Sequence, residues 1–564
     1  MRRALSVIMS STKMPGTTPP QQSFWTHAQQ LEQLPPCQAQ CPNSGDIRGW
    51  LGIIAQHEKN GLTIDEAYDK AWEKLTEFNP LPATMGRICP HPCENLCTRR
   101  DKDGSISINA MERFLGDWGI SRSLPLPGPG SEQYPESIGV IGSGPASLSF
   151  AYQMARRGYP VTIYEKHDLP GGMLRHAIPD YRLPREVLDT EIQRVLDLRI
   201  SLIRNVEVGT DIVFDDLRDR HTMMFLGLGA QAARDLGIPG EKGPGVISGI
   251  DYLRQRKQRI ASQTGDQVAV IGGGNTAIDA ARSARREGAQ VKLLYRRSQK
   301  EMPATAHEVQ DALSEGVEFR YLVSPTRIVR EGIDIRQIEI QKMRLGEVDK
   351  QGRRRPVPIP GQLQMLPVDT VIVAVSQAPD WRGMDSTHSN HKWLHTEDDG
   401  KLEHNIWAGG DDRGPGIASQ AIAQGRLAAE AAHAELRGEP HPREAPGRKA
   451  VHTDGVKTDY YRDQQREIGA RRPREEWLCN PEREIDQTID SEQARREADR
   501  CMSCGLCLDC QQCFMYCNAG GFTRIEETRT GHYFAFALDA CEGCGKCIEV
   551  CPCGYLEARD GATG

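Results

Sequence analysis

A chain of 564 residues has room for about three to five domains. With 38% hydrophobic and 26% charged residues it is too balanced for a disordered chain, and no apolar run reaches the ~18 residues of a membrane-spanning helix. A net charge of −7 gives no electrostatic footprint for nucleic acid.

The seventeen cysteines divide the chain: five lie between Cys37 and Cys97, twelve between Cys479 and Cys553, and none from 98 to 478. Disulfide-stapled secreted chains are usually short and spread their cysteines, so this distribution predicts two metal-binding ends on a globular body in a reducing, cytoplasmic compartment. The opening MRRALSVIMSS is too weakly apolar for a signal peptide.

In chain order, residues 1–36 are polar and rich in Pro and Gln, which reads as a flexible arm. Apolar residues at helical spacing (Ile47, Trp50, Leu51 and Ile54, then Met111, Phe114 and Leu115) predict a helical cysteine-bearing domain over 37–130. It ends in the Pro/Gly/Ser stretch SLPLPGPGSEQYPES. Residues 131–260 and 261–380 each hold an apolar strand, a glycine cluster and an amphipathic helix, so they read as related βαβ units. Residues 381–440 return to the first unit, 441–490 are charged and irregular like a linker, and 491–564 carry the dense cysteine runs.

In SIGVIGSGPASLSF the strand Ile138–Ile141 is followed by Gly142-x-Gly144-x-x-Ser147 and a helix beginning at Pro145 and Ala146. The first glycine permits the tight turn, the second lets backbone approach a pyrophosphate, and the small third residue allows helix–strand packing. The helix N-terminus adds N–H donors and a positive dipole. A second strand ends at Glu165, whose carboxylate can accept from ribose hydroxyls. Strand, glycines, helix, strand and acid in order predict a dinucleotide site.

The second copy, DQVAVIGGGNTAIDAARSARREGAQVKLLYRRS, places Gly272, Gly274, Asn275, Thr276 and Ala277 in the same pattern. Its second strand ends in Arg296 and Arg297 instead of an acid. A guanidinium pair can bind a 2′-phosphate that a carboxylate would repel, so NADP(H) is favoured over NAD(H); two arginines on a solvated loop are the alternative. Two adenine dinucleotides imply a flavin beside a nicotinamide. Asp411, at the end of a later apolar strand, can hold a ribityl hydroxyl. The helix opening at Gly416, Ile417 and Ala418 can stabilise negative charge on reduced flavin. FAD is therefore expected at the first site, with the nicotinamide domain inserted into the flavin domain.

Near the C-terminus, Cys507, Cys510, Cys513 and Cys517 are spaced x2, x2, x3, and Cys541, Cys544, Cys547 and Cys551 repeat this before Pro552. In this two-cluster ferredoxin pattern the last cysteine of each run crosses to the other cluster. One [4Fe–4S] cluster is thus expected on Cys507, Cys510, Cys513 and Cys551, and a second on Cys541, Cys544, Cys547 and Cys517, with zinc as the alternative. Asn518 stands where a proline often follows. Cys479, Cys501, Cys504 and Cys553 read as spare thiols, with a further metal site as the other reading.

GGMLRHAIPDYRLP (171–184), YRRSQKEMPA (295–304) and VIVAVSQAPD (371–380) resemble the glutamate synthase small subunit family. Its relatives include the N-terminal half of dihydropyrimidine dehydrogenase and the large subunit of the bifurcating NADH-dependent ferredoxin:NADP oxidoreductase. The resemblance covers about residues 37–440. It implies FAD, with Gly172 and Met173 beside it, a pyridine nucleotide, and N-terminal iron–sulfur ligands. The family builds two clusters there from a longer first cysteine run. Here no pair precedes Cys37, so one N-terminal cluster is implied, on Cys41, Cys89, Cys93 and Glu112. Cys37 and Cys97 are then left over, and an all-thiolate set from the five cysteines is equally open.

The expected architecture is α/β: two Rossmann-like domains, an N-terminal helical iron–sulfur domain and a C-terminal ferredoxin-like α+β domain. The middle lacks the redox cysteine pair that disulfide reductases of this architecture carry, so electrons need another exit. No acid–base residue is required, and His176 and His307 read as structural. The expectation is an NAD(P)H:acceptor oxidoreductase exchanging electrons with a protein partner (large subunit, reductase or ferredoxin), as a hetero-oligomer or homodimer. The C-terminal domain is similar to that of the iron–sulfur flavoprotein serving dissimilatory sulfite reductase. Reverse flow from ferredoxin to NADP⁺ and a non-catalytic scaffold are the alternatives.

Overall fold

The strand Ile138–Ile141 is buried at all four residues and pairs in parallel with Val161–Glu165 and with Met223–Leu226. These form the centre of a six-stranded sheet, which Ser201–Arg204 extends on one side. The other side is completed by Ile406–Ala408 and Lys401–Glu403, from sequence beyond the second glycine motif. That motif has its own parallel sheet, in the order Glu318–Tyr321, Gln290–Tyr295, Gln267–Ile271, Thr370–Val373, Val246–Ser248. The second domain is thus inserted in the first, but it begins before residue 261, because Val246–Ser248 pairs with Thr370–Val373. Ala232–Ala233 and Gln377–Ala378 pair where the chain crosses between the two. This is a computed structural model; it describes residues 26–260, 264–349, 352–384, 393–441 and 448–559.

The helix Ala418–Arg437 packs across the helix Pro145–Ala155, and Gly425 makes the close crossing possible: a Cβ there would lie 2.1 Å from the Ala146 carbonyl oxygen. The N-terminal domain uses the same device. Helices Pro82–Ile88 and Ile108–Ser121 meet through Gly86 and Gly116, where added Cβ atoms would lie 2.3 Å from Arg113 Cα and 2.2 Å from Ala83 N. That contact sets Cys89, which caps the first helix, against Glu112 on the second.

Two segments differ from their compositional reading. Residues 1–25 of the expected arm lie outside the described residues, but Ala28–Gln30 pairs antiparallel with Leu556–Ala558, joining the N-terminal region to the ferredoxin-like end. Within the expected linker 441–490, the described residues form a strap over three domains. Arg466 ion-pairs with Glu94, Arg471 with Asp311, and Glu484 with Arg87 and Arg113. Trp477 is buried with Tyr181. Its charges resemble a solvated linker in sequence because their partners lie in distant parts of the chain.

Candidate functional site

Both glycine loops open onto one cavity of about 300 Å³, at the lower edge of the range for ligand pockets. Gly142 has φ +85°, and a Cβ there would meet the Gly227 carbonyl oxygen at 2.4 Å. At Gly144 a Cβ would meet nothing within 4 Å, so the backbone is bare toward the cavity. Pro145 and Ala146 begin the helix at the cavity wall, and Ser147 is fully buried behind it. Glu165 lines the cavity, yet it already braces the loop: Oε2 accepts from Ser143 N at 2.9 Å and Ser143 Oγ at 2.5 Å, and Oε1 from His167 N at 2.9 Å. Gly172 packs on Gly144, beside Met173.

Across the cavity stand Asp411 and the helix start Gly416, Ile417 and Ala418. Asp411 Oδ1 accepts from Gly416 N at 3.0 Å, and burial raises its carboxyl above the usual range. The neighbouring Asp412, which sequence reading missed, is fully buried and accepts from Leu228 N at 3.0 Å and Gly229 N at 2.6 Å, fixing a third wall. A bare glycine, a helix N-terminus and backbone donors around one cavity fit a flavin dinucleotide.

The second loop presents Asn275, Thr276 and Asp279 to the same cavity. Gly272 has φ +148°, with the Ala374 carbonyl oxygen 2.2 Å from a Cβ, whereas at Gly274 a Cβ would meet only Pro303, at 4.0 Å. Ala277 is fully buried beneath. Arg182 of the first domain ion-pairs with Asp279 and Glu308 of the second, each at 2.8 Å. The arginine pair is divided. Arg297 is buried, with Nε donating to Arg354 O at 2.8 Å and Nη2 to Asp349 at 3.1 Å, while Arg296 is exposed. His176 is buried and its pKa falls to about 4, first through burial and then through His167; His307 lies 3.9 Å from Asp311.

The thiols gather in four sets. Cys41, Cys89 and Cys93 crowd one another and Glu112. Burial and then Glu112 push Cys89 up to about 12. Asn79 Nδ2 donates to Glu112 Oε1 at 2.8 Å. Cys507, Cys510, Cys513, Cys551 and Cys553 line one cavity. Cys541, Cys544 and Cys517 surround Cys547, whose thiol burial raises to about 11. The remaining N-terminal pair, Cys37 and Cys97, shares a cavity with Cys501 and Cys504. Of the other two cysteines outside the ferredoxin spacing, Cys479 is exposed and Cys553 lies 3.8 Å from Cys551 Sγ. Among the described residues no three His, Cys, Asp or Glu side chains converge as one metal ion requires. Peptide N–H groups of His91, Gly521 and Gly543 donate to Cys89, Cys517 and Cys541 sulfurs at 3.4, 3.2 and 3.4 Å.

Two glycine loops on parallel sheets, facing one cavity with thiol sets beyond it, define a two-dinucleotide oxidoreductase. Residues 136–425 match the family model described as pyridine nucleotide-disulphide oxidoreductase, and residues 30–124 that described as dihydropyrimidine dehydrogenase domain II, 4Fe-4S cluster. The NADP(+)-dependent formate dehydrogenase subunit beta of Moorella thermoacetica is 35% identical over 508 residues, 83% of this chain and 70% of that protein. The NADPH-Fe(3+) oxidoreductase subunit beta of Geobacter sulfurreducens is 39% identical over 354 residues, 61% of this chain but only 51% of that protein. The glutamate synthase [NADPH] small chain of Escherichia coli is 31% identical over 421 residues, 70% of this chain and 87% of that one. The chain belongs to the pyridine nucleotide-disulphide oxidoreductase family, as an NAD(P)H-dependent iron–sulfur flavoprotein of the glutamate synthase small-subunit kind. It departs from the family's name in having no cysteine between 98 and 478. Among the described residues no helix is long and apolar enough to cross a membrane.

Proposed function

We propose that the chain moves electrons between NADP(H) at the Gly272–Ala277 loop and a protein partner, through FAD at the Gly142–Ser147 loop and clusters at both ends. The observation that carries this reading is the shared cavity: both glycine loops line it, and so do Ile88 and Pro90, which flank Cys89. Bound flavin supplies the exchange between a two-electron hydride and single electrons. The chain's own residues position and tune. The N-terminus of the helix Ala418–Arg437 faces the cavity and favours negative charge there. Ser419, one residue on, lies against Cys89, so the same helix touches the first thiol set. Arg182 holds the nicotinamide domain to the flavin domain through Asp279.

The [4Fe–4S] ligands in this reading are Cys41, Cys89, Cys93 and Glu112 on the flavin side. The ferredoxin-like end contributes Cys507, Cys510, Cys513 and Cys551, then Cys541, Cys544, Cys547 and Cys517. The exposed flank of that end, with Phe514, Met515 and Tyr516 at the surface, faces the partner. The relatives named above are designated as subunits or as a small chain, which supports a separate protein donor or acceptor, and the same path serves either direction. Seventeen cysteines, none disulfide-bonded in the structure, suit a reducing cytoplasm.

Anaerobic reconstitution tests the reading: one FAD per chain, iron with acid-labile sulfide, and flavin bleached by NADPH at concentrations where NADH is ineffective. A chain that stays colourless defeats it. Arg296 carries the cofactor preference, since Arg297 is held by Asp349. Arg296→Ala should raise the KM for NADPH about 10–100-fold, the ~1.5–3 kcal/mol of a charge-assisted hydrogen bond, and leave that for NADH unchanged. Equal losses with both nucleotides would remove the 2′-phosphate assignment.

A further inference from the structure

The cavity formed by Cys37, Cys97, Cys501 and Cys504 brings together two ends of the chain. Cys37 is on the short helix Pro36–Gln40 and Cys97 caps the turn Pro92–Leu96. Cys501 and Cys504 arrive from beyond the strap, as a C-x-x-C pair that the N-terminal cysteine run lacks. Two-residue spacing lets one turn present both sulfurs to a single group, as in the ferredoxin-like runs.

Arg48 supplies an independent sign of an anionic ligand. Its side chain is 2% exposed and lines the same cavity. Nη1 donates to the carbonyl oxygens of Gln33 and Cys504, each at 2.7 Å, and Nη2 pairs with Glu32 Oε1 at 2.8 Å, but Nε has no partner. A buried guanidinium N–H without an acceptor is costly, and a thiolate-bound cluster carries negative charge and sulfur acceptors where this cation stands.

We infer that Cys37, Cys97, Cys501 and Cys504 bind a fourth [4Fe–4S] cluster, with half of its ligands delivered from the C-terminal end of the chain. Its place supports a relay. On one side it shares chain segments with the flavin-side set, since Cys41 caps the helix that holds Cys37, and Cys93 lies in the turn that Cys97 caps. On the other side only two residues separate Cys504 from Cys507. One electron enters from the flavin side and the same electron leaves toward the ferredoxin-like clusters, with no bond made and no proton moved. The site also ties the two ends together through metal, beside the backbone pairing of Ala28–Gln30 with Leu556–Ala558.

The inference rests on the reading that the other three sets hold clusters, and iron counted per FAD separates the two. Four clusters require about sixteen irons per FAD, three about twelve. The double variant Cys501→Ser/Cys504→Ser, reconstituted as the full chain, should lose about a quarter of both iron and sulfide, keep its FAD, and lose one S = 1/2 signal on full reduction. Cys479→Ser, at an exposed thiol, should match the parent. A double variant with the parent's iron content overturns the fourth cluster alone, as does zinc in place of iron at this site. If the double variant does not fold, the parent count decides: about twelve irons per FAD overturns the inference, and a parent without iron overturns the broader reading instead.

Discussion

Replacing Arg500 with methionine is expected to destabilise the chain by about 3–5 kcal/mol, the cost of leaving one partner of a buried ion pair uncompensated. Arg500 is fully buried, and Nη1 meets Glu497 Oε1 at 2.6 Å and Nη2 meets Asp103 Oδ1 at 3.1 Å. It also donates to the carbonyl oxygens of Gly104, Ser105 and Gln464, at 2.7, 3.3 and 3.1 Å. Glu497 is fully buried too, accepting from Ser107 N at 2.7 Å and Glu467 N at 2.8 Å. Methionine would fill part of the volume and leave that carboxylate without its cation. Lys546 and Glu549 pair at 3.0 Å on the surface, so Lys546→Ala should cost only ~0–1 kcal/mol. Denaturant midpoints of the reconstituted protein compare the two, and Arg500→Met/Glu497→Gln should recover part of the loss because the stranded charge is gone. Equal midpoints for Arg500→Met and Lys546→Ala would show that the pair does not hold the C-terminal end to the N-terminal domain. Arg500 precedes Cys501, so its anchoring also sets where the C-x-x-C pair points.

What could be read from the sequence was local. The glycine loops are legible because strand, turn and helix lie within thirty-odd residues, and each glycine has one job at a fixed offset. The two C-terminal cysteine runs are legible because their x2, x2, x3 spacing repeats within each run. The set joining Cys37 and Cys97 to Cys501 and Cys504 is not, because no local spacing links a pair at 501 to a helix at 37. The strap fails for the same reason: Arg471 and Glu484 read as solvated charges until Asp311 and Arg87 are seen to face them. Arg297 shows a subtler loss. Its residue type suits a phosphate, but Asp349 already holds it. Asp412 was overlooked beside Asp411, since adjacent acids give no sign of which faces the cavity and which anchors the loop behind it.

Gly144→Val and Gly274→Val should separate the two nucleotides without breaking the fold. Both glycines have ordinary negative φ, −71° and −91°, so a side chain strains neither backbone. The new Cβ would meet no heavy atom within 4 Å at Gly144 and only Pro303, at 4.0 Å, at Gly274. In each case the added methyls enter the space that a pyrophosphate needs at the helix N-terminus. Gly144→Val is therefore expected to purify with its iron but without bound FAD. Gly274→Val should keep FAD and lose about 100-fold in NADPH affinity, about 3 kcal/mol, read as the NADPH concentration that half-bleaches the flavin. Gly142→Val and Gly272→Val are the contrasting pair. Their φ values are positive, and a Cβ would strike carbonyl oxygens at 2.4 and 2.2 Å, so they should lower stability as well as binding. FAD retained at the parent level in Gly144→Val would move the flavin away from the first loop. FAD lost in Gly274→Val, with the fold intact, would mean that the second loop holds the flavin, and the two sites would have to exchange roles.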